Sequence, residues 1–351
     1  MNPRYDSRAL TAFAARLIEK VGMQPEKAAA MAEILVEGDL LGHTTHGLQL
    51  LPLYLGEIEA GKMTRSGSHE VVADFPAALT WDGMRLPGQW LTLKAIEVAT
   101  ERARTYGQAT VVIKRSHHIG CLAAYLKRVT DQGLMILLTC SDPYTAGVAP
   151  HGGRKGVMTP NPLAAAWPTD GDPVMFDLCQ SITTNIMTRR LKAEGKRFPG
   201  KWVIDASGVP TDDPSVMFSD PAGAFLPNGG LDHGHKGYAM GLLVEALTGG
   251  LAGHGRADPK EGWSSTTFVQ VINPALFGGT QAFRRQMTTL ADNCRATPPR
   301  EGFERVRLPG EAGLRKRAAQ LQSGVELYST VVPGLEPWIQ KLAVPLPAPL
   351  S

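Results

Sequence analysis

The sequence predicts an α/β protein, and three patterns support this fold class. Apolar residues recur at helical spacing between residues 8 and 60, and short β-rich runs, such as ATVVI at 109–113 and LMILLT at 134–139, follow from about Glu70. Turns and a helical stretch at 121–133 separate these runs. A chain of 351 residues can bury a large core and build more than one structural unit.

Three helices are predicted at the amino-terminal end. The first places its apolar residues between 10 and 21 on one face, and the second opens at Pro25, a favoured first helical position, and runs to Gly42. The third begins after Thr45, and Pro52 in its early turns is expected to shorten or kink it.

The second half of the chain combines Pro/Gly-rich loops with a long helix predicted from about Lys236 to Leu251. It ends in a proline-rich tail with two open alternatives: disorder, or a position along a partner subunit. No GxGxxG turn occurs. Because a Rossmann domain normally uses that turn to approach a pyrophosphate, any dinucleotide is expected to be held in another way.

Composition narrows the class of function. The formal net charge is +3, and basic residues are scattered rather than interleaved with aromatic ones, so nucleic-acid binding is not expected. The amino terminus lacks the apolar core of a signal peptide, and the longest apolar stretch, 237–253, contains Glu245 and is short for a membrane span. Four widely spaced cysteines form no CxxC pair, which argues against zinc modules and disulfides and favours the reducing cytoplasm.

The junction GHTTHG at 42–47 carries the first chemical candidate. His46 is expected in or just before the first turn of the third helix, with Thr45 as the N-cap. The positive end of the helix dipole would lower the pKa of His46, and an imidazole that titrates near neutrality can exchange a proton with an alcohol oxygen. The alternative is that His46 only terminates the junction by hydrogen bonding.

Two further segments are candidates for anion binding. The stretch 114–126 predicts a strand, a glycine turn and a helix start, whose free N–H groups suit a phosphate, although an ordinary βα junction has the same pattern. Lys236 precedes a helix, where a cation is favourable beside a bound anion, although a solvated lysine is the simpler interpretation. His43 and His46 could share a face, but no HExxH pattern or carboxylate triplet accompanies them, so no metal site is expected.

Six segments in sequence order resemble the malate/L-lactate dehydrogenase type 2 oxidoreductases, a family that also includes ureidoglycolate, sulfolactate and 2,3-diketogulonate enzymes and Δ1-piperideine-2-carboxylate reductase. LLGHTTHGLQLLPLYL resembles G-x-x-SHG-x-x-R-x-P-x-Y, and RSHHIG resembles S-x-HxG. APHGG with NPLA resembles PxGG with TNPLA, and KWVIDASGVPTDDP resembles W-x-x-D-x-x-G-x-P-T-x-D-P. KGYAMGLLVEALTGGLAG is similar to the KGY helix with VExL, and LPGE at 308–311 to the PGE turn.

The resemblance implies a non-Rossmann α/β fold, in which a mostly antiparallel sheet forms the dinucleotide-binding domain and helical pieces from both chain ends flank it, as a homodimer. The implied amino-terminal helical segment, 1–75, carries the catalytic histidine and packs with about 297–340. A connecting α/β segment, 76–115, an NAD(P)-binding domain, 116–296, and the proline-rich tail, 341–351, complete the division.

The resemblance also implies a cytoplasmic NAD(P)-dependent dehydrogenase or reductase, with NADH or NADPH as cofactor and a 2-oxo/2-hydroxy acid or cyclic imino acid as the small-molecule substrate. His46 is the implied proton donor and acceptor, and Thr45 orients it, while some members assign that role to the histidine matching His118. The implied cofactor contacts are His118, Ile119, Gly120, Cys121, Leu122, Asp177, Leu178, Cys179, Lys236, Gly237, Pro309, Gly310 and Glu311.

Three residues on the implied substrate side depart from the family pattern. The arginine that grips a substrate carboxylate, four residues after the catalytic histidine, is Leu50, and the threonine of TNPLA is Pro160. The lysine or aspartate that ends the segment after Asp177 is Met187. Together with Tyr54, these residues are expected to line the substrate. Leucine offers none of the paired charge-assisted hydrogen bonds of a guanidinium.

We interpret these replacements as an altered substrate choice: a substrate more apolar than malate or lactate, or one whose carboxylate meets Arg115 or Gln49. A second hypothesis is a non-catalytic dinucleotide-binding or sensor protein, which the three apolar replacements favour and the retention of Thr45 and His46 disfavours. A metal-dependent hydrolase is the third hypothesis, and it lacks a recognisable ligand pattern.

Overall fold

The computed structural model describes residues 3–350. Its helices are α1 (Ser7–Lys20), α2 (Pro25–Leu40), α3 (Leu51–Glu59), α4 (Gly88–Tyr106), α5 (Lys127–Thr130), α6 (Asn185–Ala193), α7 (Gly230–Glu245), α8 (Thr280–Ala296), α9 (Glu311–Ser323) and α10 (Val331–Leu342). Its strands are β1 (Arg4–Tyr5), β2 (Glu70–Phe75), β3 (Ala78–Asp82), β4 (Gln108–Ser116), β5 (Met135–Ser141), β6 (Pro162–Trp167), β7 (Val174–Cys179), β8 (Val203–Ile204), β9 (Pro210–Thr211), β10 (Ala224–Phe225), β11 (Ser265–Ile272) and β12 (Val325–Glu326).

The two chain ends build one helical body. The Asp6 carboxylate caps α1 by accepting a hydrogen bond from the Ala9 N–H at 2.8 Å. β1 pairs with β12, and the Leu350 N–H donates to the Arg4 carbonyl at 2.7 Å. The tail therefore lies along its own chain, which neither alternative from the sequence included. The buried apolar side chains of this body include Leu10, Leu17, Met31, Leu35, Leu51, Leu55, Val331, Leu335 and Val344.

One mixed sheet lies beside the helical body, with the strand order β2-β3-β4-β11-β5-β6-β7. Neighbouring strands pair antiparallel, except β3 and β4, which run parallel. The predicted runs 109–113 and 134–139 lie in β4 and β5, and β-branched residues of β4 and β11 are buried in the same core as α4. The α/β class predicted from the sequence is confirmed.

A small lobe positions α6 against the helical body. The three-stranded sheet β10-β8-β9 packs its apolar residues with Phe198 and Val148, and Leu191 of α6 joins this cluster. The Thr184 hydroxyl caps α6 by accepting from the Met187 N–H. α6 thereby presents its other face to the loop between α2 and α3.

The predicted start of the third helix is wrong. A 3₁₀ turn, Leu48–Leu50, follows the junction, and α3 begins only at Leu51. Pro52 then occupies the first turn of α3, where its missing N–H costs nothing, so it produces no kink. Thr45 does not cap the helix, because the Asp39 carboxylate accepts from the Leu48 N–H at 2.7 Å.

The helix around Lys236 begins earlier than predicted, and its helical residues continue to about the predicted end at Leu251. α7 starts at Gly230, bends at His233, whose backbone is not helical, and passes into a π-helical turn, Ala246–Gly250. Lys236 thus lies in the first turn after the bend rather than at the start of the helix. Within residues 3–350, no helix has the length and apolarity required to cross a bilayer.

Candidate active site

The loop between α2 and α3 holds His46 between Thr45, which contacts its ring, and Gly47, which packs on Asp39. Thr45 Oγ1 lies 2.9 Å from His46 Nδ1, a geometry that suits the orienting role that the family resemblance implies for Thr45. Gly47 is enforced by packing, because a Cβ there would lie 2.2 Å from Asp39 Oδ1. Burial raises the pKa of Asp39 to about 7, and the Leu48 N–H opposes this rise.

Two imidazoles face each other at the centre of this region. The rings of His46 and His118 stack with centroids 6.1 Å apart and an interplanar angle of 29°. Burial lowers the pKa of His46, although the Asp177 carboxylate opposes this effect. Burial, followed by the neighbouring His46 and His117, holds the pKa of His118 well below its usual range. Both rings are therefore neutral near pH 7.

The hydrogen-bond network fixes the tautomer of His118. Its Nδ1 accepts from the Gly120 N–H at 3.3 Å and lies 2.5 Å from the Tyr54 hydroxyl. Burial raises the pKa of Tyr54, so the hydroxyl keeps its proton and donates. The remaining proton of the neutral ring must then reside on Nε2.

Trp263 covers the rings of His118 and Tyr54, and the sequence patterns did not identify this residue. Its indole stacks on His118 with centroids 4.8 Å apart and on Tyr54 at 5.4 Å. Stacking of this kind shields one side of the imidazole from water. The residue lies just before β11, in the segment EGW, and no spacing in the sequence links it to His118.

The segments predicted to hold a cofactor converge on β7. Asp177 Oδ2 accepts from the Ala123 N–H at 2.9 Å and lies 3.7 Å from Cys121 Sγ. In the turn itself, Ile119, Cys121 and Leu122 are almost completely buried in the core of the sheet. Their side chains therefore contribute to the core of the sheet, and a cofactor contact by these three residues stays a prediction.

The PGE turn at 308–311 packs against β7. The Met175 N–H donates to the Pro309 carbonyl at 3.3 Å, and a Cβ on Gly310 would lie 2.4 Å from Met175 Cγ. A cavity of about 380 Å³ opens between this turn, β7 and the helical body. Glu311 points away into an ion pair with Arg295 at 2.6 Å. The residues that line the cavity include His43, Ala123, Asp177, Pro309, Gly310 and Gly313.

Gly237 also packs beside the end of β7. A Cβ on Gly237 would lie 2.8 Å from the carbonyl oxygen of Gln180, the residue after Cys179. Leu178 and Cys179 are half-buried, and burial raises the pKa of the Cys179 thiol. Lys236 is exposed on α7, and the structure places no anionic residue against it within 3–350.

One potential metal-ligand group lies in this region. The ligand atoms of His43, Cys121 and Asp177 all lie within 4.8 Å of one another. Burial and the nearby Asp177 carboxylate raise the pKa of Cys121 well above its usual value, so the sulfur remains a thiol. A thiolate is the form that binds metal. The absence of a metal site therefore stays a prediction.

The structure separates the four residues expected to line the substrate. Leu50 is 2% exposed and packs in the core of the helical body. Its side chain therefore offers no exposed surface to a substrate. Met187 is 40% exposed on α6, and the Pro160 carbonyl accepts from the Gln180 N–H at 2.9 Å. Tyr54 alone joins the imidazole pair, through His118.

The two candidate carboxylate receptors have different outcomes. Arg115 lies 3.1 Å from Asp82 and 3.3 Å from Glu261, so two carboxylates already pair with it, and its role as a receptor stays a prediction. Gln49 lies beside the loop of His46, where its Oε1 accepts a hydrogen bond from Arg190 of α6. Arg190 was missed because it is 141 residues away in the sequence.

Comparisons with known proteins agree with this architecture. The model of the malate/L-lactate dehydrogenase family matches residues 5–336. An L-lactate dehydrogenase from Cupriavidus necator is 33% identical over 324 residues, which cover 90% of this chain and 91% of that protein. A ureidoglycolate dehydrogenase (NAD(+)) from Escherichia coli O157:H7 is 28% identical over 323 residues, covering 89% of each. The crystal structure of malate dehydrogenase from Entamoeba histolytica, at 22% identity, shares the fold with a TM-score of 0.91 over 99% of this chain and 100% of that chain.

Proposed function

The chain belongs to the malate/L-lactate dehydrogenase family and is an oxidoreductase, and on that premise we propose that it transfers a hydride between NAD(H) or NADP(H) and a small organic acid. The reacting carbon is the carbonyl or imine carbon of a 2-oxo acid or cyclic imino acid, or the corresponding carbon of the reduced acid. The observation that carries this proposal is the stacked, neutral pair of His46 and His118 beside β7.

The residues around β7 fit part of a nicotinamide dinucleotide. The cavity of about 380 Å³ has backbone and glycine at Gly310 and the apolar surface of Ala123 on its walls, with the Asp177 carboxylate as a polar group. When bound, the nicotinamide supplies or takes up the hydride. The close packing of Gly310 on Met175 and of Gly237 on Gln180 fixes both backbone segments at the end of β7, where the cofactor is proposed to bind.

His46 is the proposed proton carrier. Its lowered pKa leaves the ring neutral near pH 7, so it can accept the hydroxyl proton when a 2-hydroxy acid is oxidised. The resulting imidazolium returns that proton to the oxygen in the reverse direction. Because Nδ1 is engaged with Thr45, the exchange is assigned to Nε2. His118 carries its proton on Nε2 and its Nδ1 accepts from Tyr54 and Gly120, so the neutral ring has no free lone pair for this proton, and its role is tested separately.

The proposed cofactor site uses a non-Rossmann frame. The sheet is mostly antiparallel and the chain lacks GxGxxG, so the turn 118–122, the strand β7 and the turn 309–311 replace the phosphate loop. We propose the division into segments 1–75, 76–115, 116–296, 297–340 and 341–351, a cytoplasmic location and a homodimer. The exposed apolar residues Leu242, Leu243 and Leu251 around the π-helical turn support a subunit contact.

A substrate panel tests the proposed function. Pyruvate, phenylpyruvate, oxaloacetate and Δ1-piperideine-2-carboxylate are each offered with NADH and with NADPH, and cofactor oxidation is followed by absorbance. We expect turnover of at least one compound, and we expect His118→Ala to lose less activity than His46→Ala. Dinucleotide binding without turnover of any compound would favour the non-catalytic hypothesis instead.

A further inference from the structure

Arg190 is a half-buried cation whose hydrogen-bond partners are all neutral. Its Nη1 donates to Thr44 Oγ1 at 3.0 Å, and its Nη2 donates to the Thr44 carbonyl at 3.0 Å and to Gln49 Oε1. Within residues 3–350, none of these bonds reaches a carboxylate, and the charges of Asp39 and Glu194 act on the guanidinium only from beyond hydrogen-bond distance. A guanidinium withdrawn from water usually has an anionic partner, because neutral acceptors only partly replace its hydration.

One donor of this guanidinium has no partner. The Nε of Arg190 is buried from solvent and makes no hydrogen bond within the described part of the chain. Most buried N–H groups in proteins are paired, so the unpaired Nε–H leaves a donor of this guanidinium free for an acceptor from outside the chain. A guanidinium used only to tie α6 to the loop would more favourably satisfy this N–H within the protein.

Arg190 lies next to the proposed proton carrier. It holds Thr44, two residues before His46, and its positive charge contributes to the lowered pKa of that histidine. The ring of Tyr328 stacks on the guanidinium at 3.6 Å from its centroid, which fixes the plane of the cation. In a 2-oxo or 2-hydroxy acid the carboxylate is bonded directly to the reacting carbon, so its receptor must lie beside the proton carrier.

We infer that Arg190 binds the substrate carboxylate and that the substrate carries a single carboxylate, next to the reacting carbon. This inference rests on the proposed function. The carboxylate displaces the amide oxygen of Gln49, whose Nε2 has a second partner in Thr330, and takes the unpaired Nε–H. Met187, one turn earlier on the same face of α6 and 40% exposed, presents an apolar surface to the rest of the substrate.

The test compares acids with their esters. We measure kcat and KM for pyruvate with methyl pyruvate and for phenylpyruvate with methyl phenylpyruvate, using wild-type enzyme, Arg190→Gln, Arg190→Lys and Arg189→Gln. Arg190→Gln should lower kcat/KM for the acids by about 10- to 150-fold, the effect of one lost charge-assisted contact, and change the esters by less than about threefold. Arg190→Lys should restore part of the loss, since it returns the charge without the planar fork.

Arg189→Gln is the matched control, because Arg189 is the neighbouring arginine of α6 and is exposed. It should leave the acid-to-ester ratio unchanged. An equal loss for acids and esters in Arg190→Gln would overturn the inference and leave Arg190 a structural tie. The inference is likewise overturned if Arg189→Gln reproduces the shift.

A second measurement separates this inference from the proposed function. If no compound is turned over, the proposed function fails, and binding of oxamate is measured by calorimetry with wild-type protein and the same variants, in the presence of NADH. Oxamate binding that Arg190→Gln weakens about tenfold or more, with Arg189→Gln unchanged, supports the carboxylate receptor independently of turnover. Equal binding by all variants, or no binding by the wild type, overturns it.

Discussion

The two sides of the candidate site differ in what lines them. Around β7, backbone and tightly packed glycines form the wall, and neither Gly310 nor Gly237 has space for a Cβ. Along α6, side chains form it, and Met187 is exposed while Arg190 is half-buried. Packing therefore limits which residues the proposed cofactor side can accept. On the substrate side, a charged residue can replace an uncharged one, or the reverse, without disturbing the fold. By our inference, Arg190 of α6 supplies the cation that is absent at Leu50.

The largest expected effect lies between the two sides, at His46. His46→Ala should lower kcat by about 10²- to 10⁴-fold, because the proton loses its carrier, while the Kd for NADH or NADPH stays within about twofold. Stopped-flow absorbance and fluorescence titration measure the two quantities. His69→Ala, which removes a ring stacked on Trp81 of β3, is the control histidine. A parallel loss of activity and cofactor affinity in His46→Ala would make His46 structural.

The cofactor side should respond to a single methyl group. Gly310→Ala places a Cβ 2.4 Å from Met175 Cγ at a backbone φ of +92°, so we expect Kd for the dinucleotide to rise about tenfold or more and the free energy of unfolding to fall by about 1–3 kcal/mol. Gly302→Ala is matched, since its φ is +83° but no atom lies within 4 Å of its Cβ. Equal effects of the two substitutions would show that backbone strain, and not close packing on β7, matters.

The buried Asp39 carboxyl at the end of α2, which holds the Leu48 N–H, should make the free energy of unfolding depend on pH. Burial raises the pKa of Asp39 from 3.8 to about 7, so the folded protein binds more protons than the unfolded chain between these values. The free energy of unfolding contributed by Asp39 should therefore fall as pH rises, by up to about 1.4 kcal/mol per pH unit. Asp39→Asn retains an oxygen for the Leu48 N–H and should lose this slope in urea titrations at pH 5, 6 and 7. Parallel slopes for both proteins would contradict the prediction.

The substrate side should shift the pH profile of the enzyme by the smallest amount. Burial lowers the pKa of His46, and Arg190 adds to this effect. Oxidation of a 2-hydroxy acid needs the neutral ring, so kcat/KM should fall only below the ordinary titration range of histidine. Reduction needs the imidazolium, so its kcat/KM should fall as pH rises through the same pKa. Arg190→Gln should move both limbs to higher pH by a fraction of a unit, and unmoved limbs would separate Arg190 from His46.

Local patterns predicted the elements, and distant contacts decided the site. Helix α1 and strands β4 and β5 follow from periodicity, because their faces are buried along their whole length. The start of α3 was misplaced because a 3₁₀ turn, Leu48–Leu50, precedes it, and the Leu48 N–H of that turn is satisfied by Asp39, nine residues earlier, rather than by Thr45. Motifs located the Thr45–His46 pair and the segments around β7.

Arg190 and Trp263 show why the rest of the site could not be predicted. Arg190 meets Gln49 across 141 residues, and its position follows from how the small lobe packs α6. One local sign existed: Arg190 lies one turn after Met187, on the face where the family motif has a polar residue. Trp263 reaches His118 only because β11 lies between β4 and β5 in the sheet.

A crystal structure of the protein with NADH and oxamate tests the central claim most directly. We predict that His46 Nε2 lies about 2.6–3.2 Å from the amide carbonyl oxygen of oxamate, which marks the position of the reacting oxygen, with the oxamate carboxylate on Arg190. An imidazole of His46 turned away from that oxygen, toward solvent or a metal ion, would contradict the account.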